Sequence, residues 1–189
     1  MLPPRTVGLI LDGLAHRFNL AKDAEISFEA NPESALELFY LHELAKTGVN
    51  RLSLGVQSLD DNLLKTLGRP HSATQAIKAV QAAREAGFNN LNLDLIWGIP
   101  RQRSRQWLEE LKFVCNNLKP EHLSCYGLTL EAGTPLDDLR ERGGVHMPGD
   151  KQLSHMFMDA AEFLDEQGYM HYEISNFSRM GFQCRHNMG

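Results

Sequence analysis

Cysteine is scarce in this sequence, and its placement excludes several chemistries. The 189 residues include three cysteines, Cys115, Cys125 and Cys184. They are odd in number and far apart, and no pair has the close spacing of a zinc or iron–sulfur ligand motif. Cys115 falls on an apolar helix face and Cys125 inside a strand, so both read as small buried hydrophobes. Cys184 lies among polar neighbours in Gln183-Cys184-Arg185-His186 and is left open. An excess of positive charge is also lacking: the net charge of -5 argues against a general nucleic-acid or anionic-membrane surface. No apolar run approaches the ~18 residues of a membrane span, and Met1–Arg5 lacks the apolar stretch of a signal peptide. Cytoplasm is therefore the expected compartment. Tandem repeats, low-complexity tracts and Gly/Ser linkers are absent too, which makes 1–189 a single expected domain.

What is present is ordinary globular composition, 42% hydrophobic and 23% charged, arranged as alternating strand and helix. Residues 6–18 predict an amphipathic helix through Val7, Ile10, Leu11, Leu14 and Phe18. Strand 25–30 is stopped by Pro32, and Ser34 caps a helix running to about Lys46, with Gly48 beyond its end. Strand 51–57 alternates Leu52, Leu54 and Val56 with small or polar residues and ends on Gln57. Helices at 60–67 and 73–85 follow, then strand 90–96 carrying Asp94, helix 104–117, strand 122–130, a loop at 131–149, helix 150–167 and strand 170–177. This alternation predicts βα units and a parallel sheet. Four or five parallel strands cannot close an eight-stranded barrel. A first helix without a strand before it adds to the expectation that the chain is a piece of something larger.

In such a sheet, polar residues at the C-terminal strand ends are the candidate site. Asp94 inside an apolar strand is hard to explain as packing, because a buried unpaired carboxylate is costly. Gln57 and Glu29 sit at strand ends but also suit a cap and a turn. Arg69, alone, reads as a cation at a helix end, although an arginine can clamp a carboxylate with two parallel bonds. His16, His42 and His155 read as solvated helix residues and Met170-His171-Tyr172 as strand surface.

Several blocks in one order carry a resemblance: Glu25–Pro32, Leu52–Ser58, Gly68-Arg69, Asn92–Pro100, Leu123–Thr129, Gly133-Thr134-Pro135, Tyr172–Phe177 and Cys184–Asn187. Together they resemble the radical S-adenosylmethionine (SAM) proteins of the oxygen-independent coproporphyrinogen III oxidase group, and within it the heme-chaperone branch. The resemblance covers about Leu11 to His186 and implies an α/β fold, a partial parallel (β/α) barrel lacking its first strands. It implies that Arg69 binds the SAM carboxylate and that Gln57 and Asp94 contact ribose hydroxyls. Glu29 would meet the amino or ribose end, and the backbone near Thr129 would approach the adenine. His186-Asn187 resembles the start of a His-Asn-x-x-Tyr-Trp motif linked to heme, with His186 the implied ligand and Cys184 the alternative. Heme or another porphyrin is then the expected partner, with a heme-acceptor protein.

One part of the pattern is missing. The Cys-x3-Cys-x2-Cys loop and the Gly-Gly-Gly-Thr-Pro block of the family precede the region where this chain starts. Without three thiolates no [4Fe–4S] cluster is held and SAM is not reductively cleaved, so no catalytic residue and no metal ligand is expected here, and the chain alone is expected to be inactive. The loop Arg101–Arg105 departs from the family's Gly-Gln-Thr and reads as a surface cluster more readily than a propionate patch. The competing readings are the coproporphyrinogen oxidase itself, which decarboxylates propionates, and a stand-alone non-catalytic α/β binding module.

Overall fold

The computed structural model describes residues 2–188. Eight α-helices and six strands follow one another along them as α1 (Pro4–Arg17), β1 (Ser27–Ala30), α2 (Leu38–Lys46), β2 (Arg51–Gln57), α3 (Asp61–Thr66), α4 (Ala73–Glu85), β3 (Leu91–Trp97), α5 (Ser104–Phe113), β4 (His122–Gly127), α6 (Pro135–Glu141), α7 (Asp150–Glu166), β5 (Met170–Glu173), β6 (Asn176–Ser178) and α8 (Arg185–Met188). They build one mixed sheet in the order β1-β2-β3-β4-β6-β5. β1 to β4 run parallel, each joined to the next through helix.

Alternation along each parallel strand gives the sheet two unlike faces. Leu52, Leu54 and Val56 of β2, Leu91, Leu93 and Leu95 of β3, and Leu123 and Cys125 of β4 are buried in the hydrophobic core. The helices contribute Leu41 and Leu44, Ala76, Ala79, Val80 and Ala83, and Trp107 and Leu111 to the same core. Each fully buried leucine contributes about 1.5–3 kcal/mol relative to exposure. The small residues of α4 let that helix approach the sheet closely. Its start is fixed by a capping box: the Gln75 N–H donates to Ser72 Oγ at 3.2 Å and the Ser72 N–H to Gln75 Oε1 at 2.8 Å. The opposite face carries Ser27 and Glu29, Arg51 and Ser53, Asn92 and Asp94, and His122 and Ser124, all polar.

Strand 51–57 and helix 73–85 stand where the pattern predicts them; four expectations need correction. The expected strand 170–177 is a hairpin whose second strand pairs antiparallel with β4, so the sheet is not wholly parallel. Ile174-Ser175 makes the turn, and the Glu173 carboxylate accepts the Ser175 N–H at 3.1 Å to close it. The expected loop 131–149 contains α6, started by Thr134 accepting the Asp137 N–H and by Pro135 at the first helical position. β4 ends at Gly127 rather than 130. α2 begins only at Leu38, because Pro32–Ser34 form a separate 3₁₀ turn. No described helix is long and apolar enough to cross a membrane.

Candidate functional site

The C-terminal ends of β1, β2 and β3 meet around a cavity of about 280 Å³ lined by Glu29, Ala30, Asn31, Ser53, Gly55, Gln57 and Asp94. Strand pairing explains the convergence: Glu29 lies opposite Ser53, and Gln57 opposite Leu95 next to Asp94. Asp94 is fixed by two donors that are themselves hydrogen-bonded to each other. Ser53 Oγ donates to its Oδ2 at 2.9 Å, and Asn92 Nδ2 donates to its Oδ1 at 2.7 Å and to Ser53 Oγ at 2.7 Å. The apolar strand thus carries a carboxylate that is paired and still opens onto the cavity.

Two backbone features shape this space. An extra residue in β2 shifts the register between Leu54 and Gln57, and Gln57 has φ of 65°, left-handed for a residue with a side chain. Such a conformation persists only where surrounding structure enforces it, and it is common at ligand sites. Gly55 leaves room: a Cβ there would lie 2.8 Å from Gln57 Nε2 and 3.4 Å from Asn31 Oδ1. The cavity therefore offers two carboxylates, two amides and a hydroxyl, with one position kept empty by the absence of a side chain. That donor and acceptor set fits a ligand that carries hydroxyls and an ammonium group, as SAM does.

Glu29, Gln57 and Asp94 are thus brought together, whereas Arg69 and Thr129 are not part of the cavity wall. Arg69 is exposed and lines a separate depression with Asp61, Lys65 and Gln75. Its loop is nonetheless pinned to this end of the sheet, since His71 Nε2 bonds the Val56 carbonyl at 3.0 Å and His71 Nδ1 lies 3.4 Å from Glu33 Oε2. Thr129 is exposed in the chain leaving β4. β4 ends two residues before it, at Gly127, where a Cβ would lie 3.1 Å from the Trp97 ring.

At the far end, His186 is exposed on the single turn α8. The turn is held from beneath, where Glu25 Oε1 accepts the Arg185 N–H at 3.2 Å and Arg185 Nη2 meets Asp23 Oδ2 at 3.0 Å. Cys184 is buried, with its Sγ 3.4 Å from Glu25 Oε1, so the alternative heme ligand faces inward. Arg101, Arg103 and Arg105 are exposed, and Arg105 pairs with Glu109; the loop is the surface cluster its sequence suggests.

The residues present do not fit a [4Fe–4S] cluster. Among the described residues no three His, Cys, Asp or Glu side chains converge as a metal site. The cysteines lie beyond α5, within β4 and before α8, and burial pushes the Cys115 thiol up to about 11 and the Cys125 thiol higher still. Cluster ligation would have to bring three such thiols together and release their protons, and these three lie apart on separate elements.

The strand reading missed several groups that build the site. Asn31, Ser53, Gly55 and Asn92 line or brace the cavity, and His122 is fully buried on the same face. The alternation that marked Leu52, Leu54 and Leu93 as core marks Ser53, Gly55 and Asn92 as the opposite face, so the signal was there.

Comparison with known proteins gives the family and the fold. The Radical SAM superfamily model matches residues 6–114. The chain is 38% identical over 189 residues to a protein of Danio rerio named radical S-adenosyl methionine domain-containing protein 1, mitochondrial, covering 98% of this chain and 41% of that protein. It is 39% identical over 179 residues to the heme chaperone HemW of Escherichia coli, covering 95% of this chain and 46% of HemW. The solved structure of the Escherichia coli coproporphyrinogen III oxidase HemN, a radical SAM enzyme, superposes with a TM-score of 0.77 at 28% identity, covering 95% of this chain and 41% of that one. The chain spans under half the length of these proteins. Its mostly parallel sheet matches the fold of HemN, and the chain belongs to the Radical SAM superfamily.

Proposed function

We propose that this chain forms the SAM-binding and heme-contacting part of a heme-chaperone-type radical SAM protein. The observation that carries the reading is the polar cavity at the ends of β1 to β3, where Asp94 is held by Ser53 and Asn92 with Glu29 and Gln57 beside it. Asp94 and Gln57 engage the ribose hydroxyls of SAM, and Glu29 the ammonium or ribose end. Arg69, on a loop pinned to β2 by His71, reaches the carboxylate when its side chain swings over the strand ends. The backbone near Thr129 meets the adenine. When a cluster is bound, radical SAM chemistry is the reductive cleavage of SAM; the cysteines of this chain do not supply its ligands, so no radical step is assigned to them.

Heme is the cargo in this reading, bound at the exposed His186 for delivery to an acceptor protein. The 39% identity to HemW supports it. The compartment we propose is the cytoplasm, which suits three free thiols. The second reading is the coproporphyrinogen oxidase, favoured by the likeness to HemN.

Titration calorimetry with SAM tests the site. Binding is expected to be weak and to fall roughly tenfold or more in Asp94→Ala and in Arg69→Ala, the loss of a charge-assisted bond. Equal affinity in all three proteins removes the assignment. Hemin titration, read in the Soret band, tests the cargo: His186→Ala abolishes the complex if the tail imidazole is the ligand, and unchanged binding excludes it.

A further inference from the structure

His122 and Tyr172 take part in neither the core nor the cavity wall, yet both are connected to each end of the molecule's polar face. His122 is fully buried. Its Nδ1 lies 2.6 Å from Asn92 Oδ1, and its Nε2 2.6 Å from the Tyr172 hydroxyl. The Tyr172 hydroxyl in turn accepts the Cys184 N–H at 3.1 Å and Asn187 Nδ2 at 3.3 Å. On the other side Asn92 reaches Asp94 and Ser53. The rings of His122 and Tyr172 meet edge to face, with centroids 5.6 Å apart.

The direction of every bond in this chain follows from one end. A carboxylate accepts and does not donate, so the Asn92 group facing Asp94 Oδ1 is the NH2 and its carbonyl faces His122. That carbonyl also accepts from Ser124 Oγ at 3.2 Å. His122 Nδ1 must then carry the hydrogen that reaches Asn92 Oδ1. Burial, reinforced by the nearby Arg51 guanidinium, holds the imidazole neutral by pushing it down to about 3. A neutral imidazole with hydrogen on Nδ1 has a bare Nε2, which can only accept, so the Tyr172 hydroxyl donates to it. With its hydrogen committed, the Tyr172 oxygen has lone pairs left for the Cys184 and Asn187 donors. The result is an unbroken run of donors aimed from the C-terminal segment to Asp94, each link determining the next.

We propose that His122 and Tyr172 are positioning residues that lock the Cys184–Asn187 segment to the Asp94 carboxylate through this one-way hydrogen-bonded relay. Engagement of Asp94 by a ligand changes the acceptor on which the run terminates, and thereby the hold on the segment that presents His186. The ligands named for the two ends rest on the function proposed above; the relay does not, and its test needs neither.

The test uses nitrogen-15 spectra of the histidine rings and hydrogen exchange in the unliganded protein. His122 is expected to show hydrogen on Nδ1 and to stay neutral across the range of about pH 5–8 where exposed histidines titrate. Tyr172→Phe removes one hydroxyl; it should shift His122 Nε2 and speed exchange of the Cys184 amide by roughly five- to tenfold. Asp94→Asn keeps the size of the side chain, but an amide can both give and accept. The Asn92 orientation is then no longer dictated, and His122 should show both tautomers. A packing role alone would leave the tautomer unmoved. Hydrogen on Nε2 in the parent protein, an unchanged single tautomer in Asp94→Asn, or unchanged Cys184 exchange in Tyr172→Phe each overturn the proposal. A folded Asp94→Asn protein with mixed tautomers and no SAM affinity in the parent would sink the ligand assignment and leave the relay standing.

Discussion

Glu110 on α5 holds the loop that follows the cavity strand β2, and replacing it with glutamine gives a pH-dependent outcome that can be worked out beforehand. The side chain is 8% exposed. Its Oε1 accepts the Leu59 N–H, two residues past Gln57, while Oε2 is buried without a partner. Burial, with a smaller contribution from the Asp60 charge, pushes the carboxyl up from 4.5 to about 7. That gap corresponds to on the order of 3 kcal/mol between the two protonation states. The folded protein retains a proton that the unfolded chain has released, so this residue's contribution to stability falls as pH rises from about 4.5 to about 7 and is flat above. Glutamine keeps the acceptor for Leu59 and carries no charge, but its NH2 replaces the orphan oxygen and costs about 1–2 kcal/mol if unpaired. Glu110→Gln should therefore be more stable than the parent by about 1–2 kcal/mol near pH 8, and less stable by up to about 1 kcal/mol near pH 5. Urea unfolding at several pH values, with equal m-values checked, reads the difference directly. Parallel stability curves for parent and variant, or a parent gaining stability through that window relative to Glu110→Gln, refute the reasoning.

Gly55→Ala should fold but lose SAM affinity, since the new Cβ would lie 2.8 Å from Gln57 Nε2 and push that side chain into the cavity; calorimetry checks it, and unchanged affinity places the ligand elsewhere. Ser72→Ala removes the capping box of α4 and should cost about 1 kcal/mol in urea unfolding, with little effect on ligand binding. Reconstitution of this chain with iron and sulfide should yield no stoichiometric [4Fe–4S] absorption, because its three cysteines are buried on different elements; a stable cluster on the monomer would contradict that.

The strands were legible because a two-sided sheet writes itself as alternation: Leu52, Leu54 and Val56 had one destination, and Arg51–Gln57 is the strand the pattern predicts. The same alternation brought Glu29, Gln57 and Asp94 to one cavity. What failed depended on single interactions that periodicity does not record. The turn of the hairpin at Ile174-Ser175 is closed by Glu173, and a run such as Met170–Phe177 reads identically with or without that bond. α6 was legible in principle, since Thr134-Pro135 is a cap followed by a first-turn proline, but its short length hid it within a Gly-rich stretch.

Arg69 and His122 show the deeper limit. Arg69 was marked by the family resemblance rather than by its charge, and its place depends on His71 binding the Val56 carbonyl from fifteen positions away. His122 bore no mark, because a histidine opening a strand has no period and no partner nearby in sequence. Its importance arises only when β3 and β4 pair Asn92 with it in register and the returning hairpin brings Tyr172 to its other nitrogen. A side chain's role in a polar network is set by which hydrogens its neighbours have already committed. That order of commitment starts at the Asp94 carboxylate and becomes readable only once the sheet is assembled.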